Sequence, residues 1–162
     1  MDFYPWVVIG HVFFVIIALG AHGTSAFAMF QAKRETDRNR LAAVVDLSGA
    51  SLSVAGVGLI LTLVLGIAAA IMGGHFSRQW PWAAIGVVVI LFAVMTPIGA
   101  NPMSNLRRAL GLASRADKGE MPRPGSDAEV RVAQDALRPE LLTIIGVVAI
   151  AILVWLMELK PF

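Results

Sequence analysis

Four long stretches of this chain contain no Asp, Glu, Lys or Arg: residues 3–32, 47–77, 79–106 and 141–157. No small globular core needs apolar runs of that length. A bilayer core about 30 Å thick is crossed by roughly 20 helical residues, and each stretch supplies enough. Charged residues make up 15% of the 162-residue chain, against about 25% in a soluble domain. The sequence predicts an all-α, integral membrane four-helix bundle, with spans at about 6–30, 47–72, 82–100 and 141–159. All of residues 1–162 belong to that one transmembrane domain, and its first partner is the lipid bilayer. The first span lacks a basic leader segment and is read as part of the mature protein.

Basic residues orient the bundle. Lys33, Arg34, Arg38 and Arg40 follow span 1, and Arg107, Arg108, Arg115, Lys118, Arg123, Arg131 and Arg138 lie between spans 3 and 4. Eleven of the thirteen Lys and Arg therefore fall on one side, leaving Arg78 and Lys160 on the other. Short loops rich in Lys and Arg stay in the cytoplasm, so both termini are expected outside (N-out, C-out). Tyr4, Trp6, Trp80, Trp82 and Trp155 all fall at the outer ends of spans, where interfacial aromatics collect. The pI near 9.5 is then a matter of membrane orientation, and no nucleic-acid partner is expected.

Residues 101–140 form the one sizeable aqueous segment and are expected to make a cytoplasmic, hairpin-like pair of helices. Asn101-Pro102 reads as a helix start, and Met103, Leu106, Leu110 and Ala113 line one face, as in an interfacial helix; the alternative is a plain cytoplasmic extension of span 3. Pro97 and Gly99 favour a break before it. Ser126 and Glu129 match a capping box, placing a second helix from about 127 that leads into span 4 through Pro139. The segment is too short and too poor in large apolar side chains to form its own core.

The chain has no cysteine, which excludes disulfides and thiolate sites, and no catalytic constellation is visible. Asp46, at the start of span 2, is expected to pair with Arg38 or Arg40. With no central carboxylate, Lys or Arg, a carboxylate-relay pump or transporter is disfavoured. Histidine remains. His11 and His22 lie 11 residues apart and share a helix face, about 16 Å apart along the axis, so they cannot bind one ion; each could serve a separate site, or bond to a Ser, Thr or carbonyl of a neighbouring helix. His11, His75, Met72 and Met157 all come near the outer level, and imidazole with thioether suits copper while imidazole also ligates haem iron. The cofactor candidates are thus copper or haem b, with His11 and His22 as cofactor-binding residues and His11, His75, Met72 and Met157 as metal ligands. Span 2 adds a small-residue stripe, Ser51, Ala55, Gly58, Thr62 and Gly66, of the kind that lets helices approach closely. It is read either as packing within the bundle or as an interface with a second copy or another membrane subunit.

The stretch His11-Val-Phe-Phe-Val-Ile-Ile-Ala-Leu-Gly20, the basic first loop and the ending Leu156-Met-Glu-Leu-Lys160-Pro-Phe resemble a bacterial integral-membrane family of unknown function. That family is related to copper-resistance D-type membrane proteins and, more distantly, to the membrane-bound protoporphyrinogen oxidase. Ala18 stands where those proteins usually carry Trp. The resemblance implies a copper or haem role carried by His11 in the inner membrane of a bacterial cell; the further charged residues of the oxidase find no match in this chain. The expected function is a membrane protein binding a metal or haem near its outer face, in metal handling or electron transfer. The alternative is a cofactor-free structural or accessory subunit of a membrane complex.

Overall fold

The computed structural model describes residues 2–113 and 121–161. All regular structure among them is helical: α1 (Tyr4–Arg34), α2 (Arg38–Met72), a 3₁₀ turn (His75–Ser77), α3 (Trp80–Met95), a π turn (Thr96–Ala100), α4 (Asn101–Ala109), α5 (Asp127–Asp135) and α6 (Pro139–Leu159). Four stretches are long and apolar enough to cross a membrane, Tyr4–Arg34, Arg38–Met72, Trp80–Ala109 and the Asp127–Leu159 stretch that contains α6. This is the multi-pass, four-helix membrane bundle expected from the charge-free runs. Two ends can be distinguished. The terminus end holds the start of α1, the His75 turn and the end of α6; the loop end holds the α1–α2 link with α4 and α5.

Helix limits follow local chemistry. Pro occupies the first turn of α1, α3, α4 and α6, where its missing N–H costs nothing. Asp37 caps α2 by accepting from the Arg40 N–H at 2.9 Å. Gly111, at φ 79°, ends α4 in the left-handed conformation that favours glycine. The Ser126–Glu129 capping box forms as expected at the start of α5. The expected break at Pro97 and Gly99 is instead a π turn, through which α3 continues into α4. It absorbs the proline without ending the helix. Gly99 is buried there, and a Cβ on it would lie 3.0 Å from Leu142.

Packing sorts side chains by size. Large residues such as Ile16, Phe13, Ile60 and Val147 are exposed along the helices, whereas Ala18, Ala28, Ala55, Gly58, Ala84 and Ala149 are buried. Lipid covers the large side chains as well as protein would, so the small ones, which let backbones approach, take the contacts. α1 and α2 form a closely packed antiparallel hairpin, α6 lies against α1, and α3 lies against α6. The spatial order is α2, α1, α6, α3.

The densest core is at the loop end, where Met29, Ala32, Leu41, Val45, Met103, Leu106, Leu110, Val130, Leu137 and Leu142 are buried together. The aqueous segment shares a core with the helix ends. Met103, Leu106 and Leu110 turn into that core, so α4 spends its apolar face on protein and not on the bilayer surface. Polar side chains fasten the joint. Gln134 Nε2 donates to the Ala32 and Glu35 carbonyls at 2.8 and 2.9 Å, closing the end of α1. Arg38 reaches Asp127 at 3.0 Å and the Gly125 carbonyl at 2.8 Å. Asp46 pairs with Arg107 at 2.9 Å, not with Arg38 or Arg40, because α4 brings Arg107 back beneath α2.

Candidate ligand site on the α1–α2 seam

The small-residue stripe of α2 faces α1. Ala55, Gly58 and Thr62 are buried, and Ser51 and Gly66 are half-buried. A Cβ on Gly58 would meet the backbone and side chain of Ala18 at 3.2–3.3 Å, so the two backbones are nearly in contact. Closer to the loop end, Ser25 and Ser48 are buried and share a hydrogen bond of 2.8 Å. The stripe is therefore packing within the hairpin.

Towards the terminus end the same stripe seats His11. Its ring lies over Gly66, where a Cβ would come within 2.9 Å of both Cε1 and Nδ1. His11 Nδ1 is 2.9 Å from the carbonyl oxygen of Thr62. A carbonyl only accepts, so Nδ1 carries the proton and donates. In a neutral imidazole that leaves Nε2 with its lone pair. Nε2 has no hydrogen-bond partner among the described residues. The hydroxyl of Thr62 is buried without a hydrogen-bond partner among the described residues.

The other candidates stand apart. His75 Nε2 lies 3.3 Å from the Tyr4 hydroxyl, and its ring packs between Tyr4 and Trp80, with centroid distances of 6.5 and 5.5 Å. Tyr4 begins α1 and His11 follows two turns later, about 10 Å deeper along the axis. His11 and His75 thus hold separate partners at separate depths. Met72 and Met157 are exposed at the helix ends. His22 is half-buried in α1, without a hydrogen-bond partner among the described residues. No group of three or more His, Asp or Glu that would hold a metal occurs among the described residues.

Sequence reading found His11 and the stripe separately and missed that Thr62 and Gly66 orient the imidazole. The signal was available in part, since Gly66 and Thr62 are one helical turn apart on the face that carries the stripe. Comparison with protein-family models, with curated proteins and with solved structures gave no match.

Proposed function

We propose that this is a bacterial inner-membrane protein, with both termini outside, in which His11 presents a neutral imidazole as a ligand to copper or haem iron near the outer face. Metal handling or electron transfer is the role such a site serves. The observation that carries the reading is the hydrogen bond from His11 Nδ1–H to the Thr62 carbonyl over Gly66. Ligating histidines characteristically fix one ring nitrogen on a carbonyl or carboxylate and offer the other to the metal. An imidazole inside an apolar helix is also costly filler and marks a site by default. His75 is held by Tyr4, which leaves His11 as the primary ligand.

The test is an absorption spectrum with metal analysis of protein purified from its native membrane. Bound copper or a Soret band is expected in the wild type, lost in His11→Ala and kept in His22→Ala. Protein with neither metal nor haem would return the assignment to a cofactor-free accessory subunit.

A further inference from the structure

We infer that a cavity at the loop end, between the end of α1, the start of α2 and α5, holds the headgroup of a phospholipid whose phosphate carries a primary ammonium. The cavity has a volume of about 380 Å³, within the range of small-molecule sites. Its charged lining is Lys33, Arg34, Arg38 and Arg131 with Glu35, Asp127 and Asp135. Most of these charges are committed to the protein. Lys33 donates to the Leu137 carbonyl at 2.8 Å and stands 3.7 Å from Glu140. Arg38 holds Asp127 and the Gly125 carbonyl, and Glu35 accepts the N–H groups of Thr36 and Asp37 at 2.9 and 3.0 Å. Arg34, Arg131 and Asp135 are left, exposed and without an ion pair or hydrogen bond among the described residues.

Two uncommitted guanidiniums and one uncommitted carboxylate suit a zwitterion. Guanidinium grips phosphate oxygens through paired N–H groups, whereas a carboxylate in the same lining repels a simple anion. Arg131 and Asp135 are one turn apart on α5, so opposite charges stand side by side. A ligand with phosphate and ammonium a few bonds apart satisfies all three side chains.

Depth makes the source a lipid. The charge-free run of α1 ends at residue 32, so Arg34 stands just beyond the apolar stretch, at the level of lipid phosphates. Phe27, Gly23 and Gly20 precede Arg34 by about two, three and four turns on one face of α1. Phe27 is exposed, and a Cβ on either glycine would meet nothing within 4 Å. That face is a shallow apolar lane leading down from the cavity, and an acyl chain of the same lipid lies along it. The assignment does not depend on what His11 binds.

The experiment delipidates the full chain in a maltoside detergent and titrates it with short-chain phosphatidylethanolamine, phosphatidylcholine, phosphatidylglycerol and free phosphoethanolamine, counting bound molecules by native mass spectrometry. One saturable site for phosphatidylethanolamine is expected, with the other three probes about tenfold weaker. The double variant Arg34→Gln, Arg131→Gln should weaken phosphatidylethanolamine about tenfold. Asp135→Asn should weaken it too while leaving phosphatidylglycerol as in wild type. None of these side chains has a partner to lose, so the lipid-free variants should melt with the wild type, which confines the effect to binding. Phosphatidylglycerol bound as tightly as phosphatidylethanolamine, with no effect of Asp135→Asn, would overturn the zwitterion. Free phosphoethanolamine bound as tightly as the lipid would overturn the lipid source. Lipid binding unchanged in the double variant would overturn the cavity assignment.

Discussion

Gly66 lacks the one atom that would displace His11. In Gly66→Ala the new Cβ falls 2.9 Å from the imidazole, closer than carbon and nitrogen tolerate, so the ring must leave the Thr62 carbonyl. A hydrogen bond of this type contributes about 0.5–1.5 kcal/mol, and unfolding in detergent should register a loss of that size together with weaker ligand binding at His11. Arg107 makes the corresponding case at the loop end. Its guanidinium donates to the Val45 carbonyl at 3.1 Å, to the Ala113 carbonyl at 3.0 Å and to Asp46 at 2.9 Å, and its side chain is only 17% exposed. Arg107→Met leaves the Ala113 carbonyl short of its donor, removes the added bond to the Val45 carbonyl, and is expected to cost on the order of 1–3 kcal/mol. Asp46→Asn removes an ion pair whose acid is mostly exposed and should cost at most about 1 kcal/mol. Equal losses in the two variants would show that the ion pair, and not the carbonyl bonds, secures α4 to α2.

Among elements, the α1–α2 hairpin depends on Gly58. Gly58→Leu forces a branched side chain against the Ala18 backbone, an overpacking that costs typically about 1–3 kcal/mol, and a markedly lower melting temperature is expected. An unchanged melting temperature would place the stripe on the lipid. The start of α5 is sensitive to pH. Backbone and side-chain hydrogen bonds from Ser126 hold the Glu129 carboxyl below its ordinary value. The cap is therefore at full strength above the ordinary carboxylate range and is lost as pH falls through the lowered value. The protection of the first-turn amides of α5, relative to their intrinsic exchange rate at each pH, should fall on acidification in the wild type and stay constant in Glu129→Gln. That capping box, like the charge-free spans, was legible because a short motif or a long run carries its own physics. The seating of His11 was not legible, since it depends on the register between two helices, which is set by the link at residues 35–37 and the depth of every contact along the seam. The Asp46–Arg107 pair was hidden for a similar reason: a π turn that continues a helix cannot be told in advance from a proline that ends one.

For the molecule as a whole, the helices run in the order α2, α1, α6, α3, tied at the loop end by a shared core and at the terminus end by Tyr4, His75, Trp80 and Lys160. The one-sided distribution of Lys and Arg predicts that the terminus end faces outward. Ser77→Cys should then react with an impermeant thiol reagent on intact cells, and Ser126→Cys only after permeabilisation; the reverse pattern inverts the topology. The aqueous segment was expected to lack a core of its own. It shares one with the helix ends because Met103, Leu106, Val130 and Leu137 meet Met29, Leu41 and Val45 there. The account turns on the imidazole that this frame holds within the membrane. Nitrogen-15 NMR of His11 in bilayers at neutral pH measures it directly, with His11→Gln identifying the signal. A protonated Nδ1 and an unprotonated Nε2 that shifts when copper or haem is added are the predicted result; a protonated Nε2, unmoved by either, would contradict it.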